Sequence, residues 1–136
     1  MNDLHNPLHI GVFRCLTLHQ PHKQRLVFTF QQHLKTQLIS FFQSWDRKDP
    51  MLVHCWAGIS RSTAAAYTAL CMFRPDASEE ELAQELRAAS PSATPNRLIV
   101  SLADEVLGRN GRMVKAIEKI GRGADAFEGT PFVLRP

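Results

Sequence analysis

Apolar positions along the chain fall into helical, strand-like and irregular stretches. From Gln32 to Trp45, the residues Leu34, Leu38, Phe41, Phe42 and Trp45 recur every three or four positions, which predicts an amphipathic helix. The contiguous run Met51-Leu52-Val53 follows the breaker Asp49-Pro50 and reads as a short buried strand. The Ala-rich segment from Ser62 to Phe73 predicts a helix, stopped by Pro75. Ser78-Glu79-Glu80-Glu81 has the form of a capping box and opens a helix through Ala89, with Leu82 and Leu86 facing inward. Leu98, Ile99, Leu102, Val106 and Leu107 mark the next helix, with Thr94 as candidate N-cap and Pro95 at its first position. Arg112 to Ile120 predicts a last short helix, ended by Gly121. Upstream, Leu8 to Phe13 and Arg25 to Phe30 are candidate strands, with a loop from Leu18 to Lys23 between them. Strands that alternate with helices argue for an α/β domain. The expected organisation is one domain over residues 1–121, followed by a flexible Gly- and Pro-containing tail over 122–136.

Composition narrows the classes of function. At 136 residues and 44% hydrophobic content the chain suits one soluble domain with a single core. No run approaches the roughly 18 apolar residues of a membrane span. Met1-Asn2-Asp3-Leu4-His5 lacks the apolar core of a secretory leader. Cys15, Cys55 and Cys71 are odd in number and lack zinc-ligand spacing, so free thiols in a reducing cytoplasm are expected. A net charge of +3 favours anionic ligands without calling for nucleic acid. The basic cluster Arg109, Arg112, Lys115, Lys119 and Arg122 reads as a solvated face.

The chemistry concentrates in His54-Cys55-Trp56-Ala57-Gly58-Ile59-Ser60-Arg61-Ser62. A strand, a tight loop and a helix N-terminus make an anion site, because loop N–H groups point inward and the helix dipole adds about half a positive charge. Such surroundings lower a cysteine pKa from about 8.5 to roughly 3.5–7.5, and the thiolate is the nucleophilic form. The planar fork of Arg61 can hold two oxygens of a phosphoryl group at once. Gly58 allows a turn in which a Cβ would collide or demand an unfavourable φ. Ser62 can donate to the sulfur, and His54 can orient the loop through its ring N–H.

The string His54, Cys55, Arg61 and Ser62, with Ala57-Gly58 and Ser60, resembles the signature loop of the cysteine-dependent protein tyrosine and dual-specificity phosphatases, bacterial-type tyrosine phosphatases among them. The resemblance implies the phosphotyrosine protein phosphatase-like α/β fold, with a central parallel sheet flanked by helices. It implies phosphomonoester hydrolysis through a phosphocysteine, with no metal and no other cofactor. Cys55, Arg61, Ser62 and His54 would be catalytic, and Trp56, Ala57, Gly58, Ile59 and Ser60 would bind substrate. Ala89-Ser90-Pro91-Ser92-Ala93-Thr94-Pro95-Asn96 resembles the family's Pro-Asn turn, in which Asn96 would brace the phosphate loop. With only 54 residues before Cys55, the N-terminal half, residues 1–45 above all, is expected to be reduced or atypical. The loop holds no lysine to meet extra phosphates, which favours a phosphotyrosine protein or a small aryl phosphate as partner, with neither nucleic acid nor membrane.

One part is missing. The family's upstream acid is an aspartate on a mobile loop, yet the corresponding window, Cys15 to Arg25, holds no carboxylate, and neither does any position from Leu4 to Trp45. Asp46 and Asp49 precede the strand, and five extended residues place them about 16 Å from the loop, at the wrong end of the sheet. His19, His22 and Asp3 are the remaining candidates for a general acid, whose loss costs 10²–10⁴-fold in rate. A second expectation is therefore a feeble or inactive site that serves as a phosphate-binding module. A sulfurtransferase of the rhodanese type fits less well, because five residues separate Cys55 from Arg61 and Ser62 follows.

Overall fold

The computed structural model describes residues 14–17 and 37–136. Strand β1, Arg14–Thr17, is followed by the helical residues 37–43, named α1. Strand β2 is Met51–His54, and the helices after it are α2 Arg61–Phe73, α3 Glu79–Ala89, α4 Arg97–Val106 and α5 Arg112–Ile120. Among the described residues the sheet consists of β1 and β2, which run parallel with Arg14 opposite Met51 and Thr17 opposite His54. Both strands therefore end at the same edge of the sheet, where the Cys55 loop begins. The candidate strands Leu8 to Phe13 and Arg25 to Phe30 lie outside the described residues, as do positions 32–36 of the predicted first helix.

Helix α2 is the centre of the packing. Nine of its thirteen residues are buried, so it is enclosed on nearly all sides. Its small residues Ala64, Ala65 and Ala69 let neighbouring elements approach, while Tyr67 and Leu70 fill the space between them. β2, α3 and α4 pack against α2, and α5 packs on α3 and α4. Phe42 and Leu38 of α1, Leu82 and Leu86 of α3, Val100 of α4 and Met113 of α5 complete one core.

The local signals for helix ends act as the sequence suggests at α3 and not at α4. Ser78 accepts from the Glu81 N–H and the Glu81 carboxylate accepts from the Ser78 N–H, which closes the capping box. At α4 the cap is Asn96, whose Oδ1 accepts from the Ile99 N–H at 3.1 Å. Thr94, expected as the cap, instead accepts from the Gly123 N–H through its hydroxyl. The buried stripe of α4 also differs: Ile99, Val100 and Ala103 face the core, while Leu98 and Val106 are exposed.

The basic cluster is not a uniformly solvated face. Arg109 is buried to 12% exposure, bridges Glu79 at 3.2 Å and donates to the Cys71 carbonyl at 2.7 Å. Arg112 meets the same Glu79 carboxylate at 3.1 Å, Lys119 pairs with Glu80 and Arg122 with Asp125. The segment expected as a tail carries no helix or strand, and three of its N–H groups bond to the body: Gly123 to Thr94, Ala124 to Pro91 and Gly129 to Ala57. Phe132 and Leu134 pack against the core edge, and the Arg47 guanidinium donates to the Pro136 carbonyl.

Glu79 generates a stability prediction. Burial pushes its carboxyl pKa up, but backbone hydrogen bonding and the guanidinium groups of Arg112 and Arg109 outweigh that and hold it below the usual range. Its stabilisation is therefore present above the unfolded-state carboxylate pKa and is lost as pH falls through the lower, folded value. Glu79→Ala leaves Arg109 without its counter-charge and is expected to cost about 3 kcal/mol in a denaturant titration at pH 7. The deficit should shrink as the pH is lowered into the acid range.

Candidate functional site

The loop is set between two rigid ends. β2 delivers His54, Cys55 follows, and Arg61 is the first residue of α2. Ser60 caps α2 without a side-chain hydrogen bond, and the first turn holds no acidic residue. The positive end of the helix dipole is thus left for an anion. Gly58 turns the loop at φ +70°, a left-handed conformation that a Cβ disfavours. Space is not the reason for glycine here, since a Cβ at Gly58 would come no closer than 3.9 Å to any neighbour.

The loop's carbonyls are held outward by donors behind it. The Ala57 carbonyl accepts from the Gly129 N–H at 2.7 Å, and the Ile59 carbonyl accepts from the Thr94 N–H at 2.9 Å. The Ser60 carbonyl accepts from the Asn96 N–H at 3.0 Å and from the Ala64 N–H at 3.1 Å. The fully buried Thr63 hydroxyl adds contacts of 2.6 Å to the Ile59 carbonyl and 3.0 Å to that of Ser60. A planar trans peptide points its carbonyl and the next N–H in opposite directions. Carbonyls of Ala57, Ile59 and Ser60 turned outward leave the N–H groups of Gly58, Ser60 and Arg61 turned inward.

Cys55 meets one of these N–H groups, that of Gly58, together with Ser62. Partial burial pushes its pKa up, but hydrogen bonds from the Ser62 hydroxyl, the Ser62 N–H and the Gly58 N–H, with the charge of Arg61, outweigh burial and bring it to about 7. The Ser62 oxygen is 3.3 Å from the sulfur, and its O–H donates once the sulfur is thiolate. Cys71, deep in α2, is the opposite case: burial drives its thiol up to about 12, and it is a core residue.

The structure sets the Ser62 hydroxyl against the Cys55 sulfur and the Arg61 charge close enough to act on it, while His54 ends β2 just before the loop that Trp56, Ala57, Gly58, Ile59 and Ser60 form. Trp56, next to Cys55, is 93% exposed. Asn96 reaches the loop through its backbone N–H, while its side chain caps α4. Asp46 and Asp49 lie ahead of β2, at the sheet end opposite Cys55. His19, His22 and Asp3 lie outside the described residues. A cavity of about 500 Å³ runs behind the loop, between β2, α2 and residues 129–136; His54, Gly58 and Ser62 line it and Cys55 does not. Among the described residues no cluster of His, Cys, Asp and Glu could hold a metal ion, and no helix is long and apolar enough to cross a membrane.

Thr63, Thr94 and Gly129 have roles at the loop that the sequence reading did not assign. A threonine four residues after Ile59 is a readable signal, since Thr on a helix bonds back to the preceding turn. Gly129 offers no such signal, because its partner is 72 residues away (129 minus 57).

Compared with models of protein families, with curated proteins and with solved structures, the chain matches none.

Ser62 provides the sharpest test of this geometry. Ser62→Ala removes a donor to the thiolate, so the Cys55 pKa should rise from about 7 towards the ordinary thiol value near 8.5. The pH profile of iodoacetamide alkylation should shift upward, with several-fold slower labelling at neutral pH. An unshifted profile would show that the hydroxyl does not support the thiolate.

Proposed function

We propose that this chain is a cysteine-dependent phosphatase of the protein tyrosine type, on an α/β scaffold and working in the cytoplasm. Its substrate is a phosphotyrosine protein or a small aryl phosphate. The observation that carries this reading is the convergence on Cys55 of a hydroxyl, inward N–H groups and a guanidinium at the start of α2. Those are the groups that stabilise both a thiolate and the oxygens of a phosphoryl group. The thiolate attacks phosphorus, the S–P bond forms, and the ester P–O bond breaks with its electron pair leaving on the aryl oxygen as an aryloxide. Water then attacks the phosphocysteine, a P–O bond forms and the S–P bond breaks, inorganic phosphate departs with the water's protons, and Ser62 stabilises the returning thiolate.

The register of the sheet bears on the acid. Thr17 pairs with His54, so the segment after β1 starts at the loop end of the sheet. His19 follows two residues later, a reach of at most about 7 Å along the chain. A second reading, a phosphate-holding module with a feeble site, is favoured by the carboxylate-free stretch from Leu4 to Trp45.

Hydrolysis of para-nitrophenyl phosphate decides between turnover and binding alone. Cys55→Ser should abolish turnover and keep phosphate binding; loss by Cys71→Ser instead would refute the assignment. Arg61→Lys should weaken vanadate binding at least tenfold, because an ammonium cannot replace the two-pronged donor. With no acid in place, the rate should fall steeply as leaving-group pKa rises. A flat dependence would mean that a general acid reaches the pocket, and His19→Ala would then cost most on poor leaving groups.

A further inference from the structure

We infer that Gly129, in the C-terminal segment, is a positioning residue of the phosphate loop: its N–H holds the Ala57 carbonyl outward and thereby aims the Gly58 N–H at the anion site. The inference rests on reading that loop as an anion site and goes beyond it by giving the distant segment a part in its geometry.

Three observations carry it. The Gly129 N–H donates to the Ala57 carbonyl at 2.7 Å, the shortest of the backbone bonds that hold the loop. Ala57 and Gly58 share one peptide plane, so a carbonyl fixed on one side fixes the Gly58 N–H on the other. That N–H is one of the donors to Cys55. The Ile59 and Ser60 carbonyls have donors from the 94–96 turn and from Thr63, whereas at Ala57 the donor comes from residue 129.

Residue 129 is glycine for space. A Cβ there would lie 2.5 Å from the Gly58 oxygen and 3.1 Å from its carbonyl carbon, both backbone atoms of the loop. The φ of Gly129 is not in the left-handed region, so an alanine there would suffer from the collision and not from its own conformation. Relief requires the segment and the loop to move apart, which lengthens the bond to Ala57. Gly58 and Gly129 thus lie backbone to backbone. The approach is fixed from both directions, since Gly123 and Ala124 tie the segment to the 91–94 turn, and Phe132 and Leu134 pack beyond it.

The test compares Gly129→Ala with Thr130→Ala in the full chain. Thr130 is its exposed neighbour and serves as the control. In Gly129→Ala the pH midpoint of Cys55 alkylation should move from about 7 towards the ordinary thiol value near 8.5. Orthovanadate binding should weaken about tenfold, the scale of one hydrogen bond to a charged group. Thr130→Ala should match the unmodified chain in both. A folded Gly129→Ala with an unchanged alkylation midpoint overturns the inference. Amide exchange in the unmodified chain gives an arm that needs no variant: the Gly129 amide should exchange more slowly than those of Glu128 and Thr130. Equal rates at the three amides overturn the inference as well. None of the three readouts involves turnover. A chain that hydrolyses no phosphate ester, yet shows the shifted midpoint, would refute the proposed phosphatase and leave the role of Gly129 standing.

Discussion

The site depends on the direction of a few peptide planes. Each loop carbonyl turned towards the scaffold turns the next N–H the opposite way, into the loop, because the peptide is planar and trans. Donors outside the loop hold those carbonyls: the Thr94 and Asn96 N–H groups from the turn before α4, Thr63 from inside α2, and Gly129 from the far end of the chain. The scaffold's task is to bring those four residues to one surface.

The contrast between Cys55 and Cys71 shows what that arrangement does to the same functional group. Both thiols meet a burial penalty on their charged forms. At Cys71 nothing offsets it sufficiently and the thiol goes up to about 12. At Cys55 the Ser62 hydroxyl, two N–H groups and Arg61 reverse it, to about 7. A helix N-terminus with no acidic residue in its first turn adds the dipole's positive end at the same place. The two thiols differ in their place relative to α2: Cys55 lies in the loop that leads into its N-terminus, and Cys71 lies within its buried body. The ion pairs of Glu79 with Arg109 and Arg112 belong to that core, tying the start of α3 to the loop before α5 and the start of α5 itself.

Local physics made much of this legible in the sequence. The α3 capping box, the strand before Cys55, the α5 span ended by Gly121 and the crowding of chemistry into residues 54–62 all rest on signals within a few residues of one another. What was illegible depends on long-range contacts. β1 is a strand because β2 lies beside it; Arg14-Cys15-Leu16-Thr17 has too little pattern to announce one. Asn96 caps α4 in preference to Thr94 because the Thr94 hydroxyl is engaged by Gly123, 29 residues on. Arg109 looked like one of five surface cations, and only the fold sets Glu79 against it. The sequence shows the carboxylate-free stretch from Leu4 to Trp45, and the described residues add the register that sets Thr17 opposite His54.

The central claim is that Cys55 takes the phosphoryl group in the loop that holds it. Rapid quenching of the chain with an excess of an aryl phosphate, followed by peptide mass spectrometry under acid conditions, reads this directly. The account predicts a phosphoryl group on the peptide containing Cys55, absent in Cys55→Ser and unaffected by Cys71→Ser. Turnover of the ester with no phosphocysteine trapped at any time, or with the phosphoryl group on another residue, would contradict it.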